Sequence, residues 1–187
     1  GYYADREPAV YDYWEDEMGF LTAYARAQVE SRLPREPSEQ FRKIYYVKRQ
    51  TVKAFYDAGG GDNLTLGTDH PSWGEFLSPF SAHRELLSLV RSGIPPATVL
   101  KIATINGARA MHVGDFLGTI EAGKIADLVI VRGDPLADIR NVRNVRWVMK
   151  AGRLYDPIEL MRSVEGTIGP RAPDDESDWR PLARSPG

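Results

Sequence analysis

The chain contains no cysteine. Disulfides, thiolate zinc sites and cysteine nucleophiles are therefore excluded, while the compartment, cytoplasmic or periplasmic, stays open. Histidine is also scarce: His70, His83 and His112 are the three present in 187 residues. No apolar run is long enough to cross a bilayer, so no membrane partner is expected. The formal net charge is −2, which gives no electrostatic footprint for nucleic acid. The opening Gly1-Tyr2-Tyr3-Ala4-Asp5-Arg6-Glu7 has no basic segment followed by an apolar one, so no signal peptide is visible, although a cleaved one would leave no trace. There is no internal repeat. What is present is an ordinary globular balance, 42% hydrophobic and 27% charged, with enough apolar material for a core. The length suits one domain or a domain with a small appendage.

Apolar and aromatic residues recur at helical spacing from Pro8 to Leu33 (Tyr13, Phe20, Tyr24), which predicts a helix ended by Pro34 and Pro37. A second helix is expected from Ser38, as cap, with Phe41, Ile44, Tyr45, Val52, Phe55 and Tyr56 mostly on one face. It should stop at Gly59-Gly60-Gly61, where glycine tolerates a left-handed helix end. Asn63 to Asp69 reads as a short strand, and His70 to Pro79 as a loop. Helices are then predicted at about Ser81–Arg91 and Ala97–Met111, the latter bent at Gly107. The order helix, strand, loop, helix is the repeating unit of a βα barrel. After Gly114 the texture turns to β: Ala126–Val131, Val145–Lys150 and Gly152–Tyr155, with Lys150-Ala151-Gly152-Arg153 as a hairpin turn. The tail from Gly169 has the composition of disorder, with Trp179 and Leu182 as possible anchors.

Asp69 is the first residue with chemical promise. A carboxylate at the C-terminal end of a barrel strand stands where barrel enzymes keep catalytic groups, and can take and return a proton. An Asp capping a turn before a proline-containing loop is the structural alternative. Gly59-Gly60-Gly61-Asp62 follows a helix, not a strand, which is the wrong context for a phosphate loop and the right one for a helix cap.

Three blocks change the weight on Asp69. They are Leu66-Gly67-Thr68-Asp69; then His83-Arg84-Glu85-Leu86 with Gly93-Ile94-Pro95 and Ala103 to Ala110; then Gly118 to Val131, followed by Gly133-Asp134-Pro135-Leu136 and Val148 to Gly152. In this order and separation the chain resembles the C-terminal third of the amidohydrolase superfamily, in its imidazolonepropionase-like and prolidase-like branch, from about Phe41 to Tyr155. The resemblance implies an α/β fold: a partial TIM (β/α)8 barrel, its last strands and helices, plus the C-terminal part of a small β-sandwich domain. The implied division is 1–113 for the barrel portion, 114–156 for the sandwich strands, and 157–187 for a C-terminal helix and polar tail. It also implies a hydrolase of amide, peptide or cyclic C–N bonds that uses a metal-activated water, with Asp69 as general base, then acid, and as a metal contact.

The family's other metal ligands, a His-x-His pair and further histidines on earlier strands, have no counterpart here. One matched position cannot build a zinc site of three or four protein ligands. The resemblance therefore implies one or two divalent ions, zinc by preference, held mostly by residues outside this chain. The implied partners are an N-terminal amidohydrolase polypeptide completing the barrel, a small-molecule amide or peptide substrate, and a higher oligomer. His70 and Trp73 are candidate substrate contacts, against a solvent-exposed loop histidine and a ring packing the barrel rim. Phe76 and Phe80 carry the same two readings as Trp73. His83 is a candidate for substrate binding or for orienting Asp69, against capping and packing of its helix. His112, Lys124, Asp127, Thr104 and Asn106 are expected to be structural. The alternative to an enzyme part is a non-catalytic assembly or binding module derived from the same fold.

Overall fold

The computed structural model describes residues 17–31, 39–68 and 78–175. These fall into two compact units, one of 39–68 with 78–157 and one of 17–31 with 158–175.

In the larger unit, α2 (Glu39–Asp57) is the predicted second helix, and it stops where the glycines require. Gly59 takes φ +90°, a conformation open to glycine at little cost. A single 3-10 turn, Gly60–Asn63, then leads into Leu64–Thr68. This run was expected as a strand. Leu64 is extended, yet Leu64–Thr68 joins no ladder among the described residues. A strand is defined by its hydrogen-bonded neighbour, and none of the described strands lies beside it.

Helix α3 (Ser78–Arg91) begins three residues earlier than expected. It ends at Gly93, φ +94°, where the Ile94 N–H reaches back to the Leu89 carbonyl. α2 and α3 are joined by side chains: the Tyr45 hydroxyl lies 2.9 Å from Ser88 Oγ, and the Arg49 guanidinium donates to the Arg91 carbonyl. Pro96 opens α4 (Pro96–Lys101), as suits a residue with no N–H to satisfy. A π-helical stretch, Ile102–Asn106, follows, and α5 (Gly107–Ala110) completes the rod. The irregularity expected at Gly107 thus lies in the turn before it. The wider turn lets Ile102, Ile105 and Asn106 all face inward.

The core is built from Leu86, Ile94, Val99, Ile102 and Ile139, with Val52, Tyr56, Leu64 and Leu66 packed against it. Leu64–Thr68 is thus held by apolar packing although it has no strand partner. Gly118, φ +95°, brings the next loop onto the π turn, where a Cβ would lie 2.7 Å from the Ile105 Cα. Lys124 organises that loop, donating to the Gly114 carbonyl at 2.8 Å and to Thr119 Oγ1.

Strands β1 (Leu128–Val131), β2 (Val145–Lys150) and β3 (Arg153–Tyr155) form an antiparallel sheet in sequence order. A register shift falls between Ile130 and Val131. The β2–β3 hairpin turns through Ala151 and Gly152, both at positive φ, the twist a two-residue hairpin prefers. Asp127 accepts from the Ala151 N–H at 2.7 Å and pairs with Lys150. Its structural role is therefore to fasten this turn. A 3-10 helix, Ile139–Arg143, capped by Asp138, lies between β1 and β2 and sends Ile139 into the core.

In the smaller unit the predicted Pro8–Leu33 helix is not continuous. Glu17 and Met18 are helical, Gly19 and Phe20 turn, and Leu21 bridges to Ile168 in parallel. α1 (Ala23–Ser31) starts afresh with Thr22 as cap, its Oγ1 accepting from the Ala25 N–H at 3.1 Å. The Thr22 hydroxyl also donates to the Pro170 carbonyl. A helix paused at a glycine and recapped by a threonine is the cause of the break. α6 (Pro157–Arg162) precedes the segment bearing Ile168. Residues 8–16 and the anchors Trp179 and Leu182 lie outside the described residues.

Candidate active site

Asp69, His70, Trp73 and Phe76 lie outside the described residues; the structure does describe the chain on both sides of them. On the near side, two side chains from distant elements hold the backbone of the run that leads to Asp69. Asn106, buried by the π turn, donates from Nδ2 to the Gly61 carbonyl at 3.0 Å and the Leu64 carbonyl at 2.9 Å. Asn106 does bond backbone, as expected, but more than forty residues away from its own helix. Thr104 does so locally, donating to the Leu100 carbonyl at 2.7 Å.

The second hold is Glu85 on α3. Its Oε1 accepts the Gly67 N–H at 3.0 Å, two residues before Asp69. Burial pushes the Glu85 carboxyl above its ordinary range, and the Gly67 N–H opposes this by favouring the charged form. A carboxylate bound to a backbone amide makes a stronger bond than a neutral acceptor would.

On the far side, His83 sits one turn into α3. Its Nδ1 is buried with no hydrogen-bond partner. Burial first, then the charges of Arg143 and Arg84, hold the imidazole below its ordinary 6.5. His83 is thus neutral near pH 7, with one ring nitrogen uncommitted. Arg84 beside it is buried. The Phe80 ring, half-buried, lies 5.8 Å from the Arg143 guanidinium. α3 and the 3-10 helix therefore bring His83, Phe80 and Arg143 into one region. Glu85 and Arg143 were not singled out from sequence. Nothing local marks a helical Glu as the acceptor for an amide eighteen residues earlier, and Arg143 belongs to a stretch with no motif. His112 closes α5 in the left-handed region, exposed, as a helix-end residue.

Residues 37–155, well over half of the 187, match the profile of the Amidohydrolase family. The chain belongs to this family. Over 77 residues this amidohydrolase is 38% identical to 5-methylthioadenosine/S-adenosylhomocysteine deaminase of Thermoanaerobacter pseudethanolicus, a stretch amounting to 38% of this chain and 18% of that protein. Over 175 residues it is 27% identical to adenine deaminase 4 of Rhizobium meliloti, covering 80% of this chain and 28% of that protein. Among solved structures it resembles a Xaa-Pro dipeptidase with bound methionine in the active site, at 32% identity and TM-score 0.52, over 58% of this chain and 25% of that one. The chain spans less than a third of the length of the two curated relatives named, 18% and 28%.

Proposed function

We propose that this amidohydrolase chain is the C-terminal portion of a metal-dependent hydrolase of C–N bonds, with Asp69 as the proton-transferring carboxylate. In this reading the larger part of the chain supplies the last strand and helices of a (β/α)8 barrel, and β1–β3 belong to a small β-sandwich domain. The observation that carries the reading is the double anchorage, by Asn106 and Glu85, of the run that ends in Asp69. A general base must be held in register with its water, and two side chains fasten the backbone before Asp69.

The chemistry follows from a carboxylate at that position. Asp69 takes a proton as the water oxygen attacks the carbon of the scissile bond. It then returns the proton to the departing nitrogen as the C–N bond breaks. His70, Trp73 and His83 are the proposed substrate contacts. His83, held neutral by burial and by the neighbouring guanidinium charges, would bring no charge to desolvate. Among the described residues no three His, Asp or Glu side chains converge as metal ligands. These residues do not fit a metal centre by themselves. The ion, zinc by preference, would take most of its ligands from an N-terminal amidohydrolase polypeptide that completes the barrel within a higher oligomer.

The names of the relatives define the first substrates to try: 5′-methylthioadenosine and adenine, each followed by ammonia release, and a methionyl-proline dipeptide, followed by free methionine. In the completed enzyme Asp69→Asn should lower kcat at least about a hundredfold, the scale of a lost general base, with the unfolding midpoint retained. Turnover close to wild type in that variant removes Asp69 from the mechanism.

A further inference from the structure

We infer that Glu85 is a positioning residue: its carboxylate, held against the Gly67 N–H, sets the backbone that delivers Asp69. The inference rests on the proposed role of Asp69 for its catalytic meaning, and on the geometry alone for the clamp itself.

Leu64–Thr68 has no ladder partner among the described residues. The acceptor of the Gly67 N–H is a side-chain carboxylate at 3.0 Å, from a helix whose next residue, Leu86, is a buried member of the core. Both ends of the clamp are tied to the core. Leu66 anchors the run in the core one residue before Gly67. Leu86 anchors the helix one residue after Glu85. A half-buried carboxylate is costly to keep charged, and the bond it makes is one that no apolar residue of similar size could replace. Gly67 has open space where a Cβ would stand, so glycine at 67 is not demanded by crowding from Glu85 or its neighbours. The hold is on the N–H, not on the shape of the residue. Asn106 fixes the start of the run through the Gly61 and Leu64 carbonyls, so loss of Glu85 would release the Gly67 end alone.

The test is amide exchange at Gly67 in the full chain, followed by NMR, in wild type, Glu85→Ala and Glu85→Gln. The amides of Val99 and Ile102 report global stability. Glu85→Ala should speed Gly67 exchange about tenfold or more, relative to those core amides, the scale of one lost hydrogen bond to a charged group. Glu85→Gln keeps an acceptor oxygen and should restore most of the protection. In the completed enzyme the loss should fall on kcat rather than KM, about ten- to a hundredfold for Glu85→Ala, because a shifted base is misplaced without weakening substrate binding. Gly67 exchange unchanged in Glu85→Ala overturns the clamp. Faster exchange with unchanged kcat overturns its catalytic meaning. A fall in kcat for Glu85→Ala alongside full turnover by Asp69→Asn would instead overturn the role given to Asp69 and leave the clamp standing. Should Glu85→Ala not fold, Glu85→Met, of similar length but without an acceptor oxygen, decides: faster Gly67 exchange against stable core amides supports the clamp, and unchanged exchange refutes it.

Discussion

The groups around the run to Asp69 differ in how burial treats them. His83 is disfavoured as a cation by burial and by two neighbouring guanidinium groups, whereas Glu85 is disfavoured as an anion. The pH consequence for His83 can be worked out. Its folded affinity for a proton is below that of the unfolded chain. As pH falls through the ordinary 6.5, the unfolded state therefore binds more protons, and the fold loses stability until the depressed folded value is passed. One such proton bounds the slope at about 1.4 kcal/mol per pH unit. Glu85 runs the other way, holding its proton to higher pH when folded, so it stabilises on the acid side and loses that contribution as pH rises. Comparing wild type with His83→Gln separates the two. Urea unfolding between about pH 7.5 and 5.5, the range around an ordinary histidine, should show a steeper loss of stability in wild type than in the variant. Equal slopes would mean that His83 is not held neutral by the fold.

At the scale of elements, Gly118 is where one loop's conformation and another helix's packing meet. At φ +95° any side chain is strained, and a Cβ would lie 2.7 Å from the backbone of the π turn. Gly118→Ala should therefore cost about 2 kcal/mol or more, read as a lowered thermal midpoint, and should disturb Ile105 and through it the turn that presents Asn106. A midpoint equal to wild type would show that the loop can move away freely. The elements that could be read from sequence are those whose signals are local. α2 with its glycine stop, the helix expected from about Ala97 with a bend at Gly107, and the Ala151-Gly152 hairpin all follow from residue type and spacing. The long first helix failed because a glycine and a threonine cap outweighed apolar periodicity. Leu64–Thr68 joins no ladder among the described residues, because pairing is a property of two segments and only one is present there. The same reason hid the site's supports. Asn106 and Glu85 act across 42 and 18 residues respectively, and no pattern in the chain announces those meetings, whereas the proposal for Asp69 rests on its place after the run and on the ordered family blocks around it.

For the molecule as a whole, the sheet has edges open to pairing among the described residues. β1 is an edge strand of the three, and its Val129 and Ile130 are 60% and 47% exposed; Leu154 on the opposite edge strand is 47% exposed. An unpaired edge carrying apolar side chains is a template for another strand. Under the proposed function the cover is the N-terminal amidohydrolase polypeptide. Expressed by itself, the chain should then self-associate as its concentration rises, and Val129→Lys should suppress that association by placing a charge on the edge. Co-expressed with an N-terminal amidohydrolase portion carrying His-x-His, it should instead form a defined complex holding divalent metal, visible together by native mass spectrometry. A chain that stays monodisperse alone, and that neither recruits the second polypeptide nor gains metal in its presence, would fit a self-sufficient binding module and would withdraw the hydrolase reading, since no cluster of ligands among its own described residues could then supply the ion.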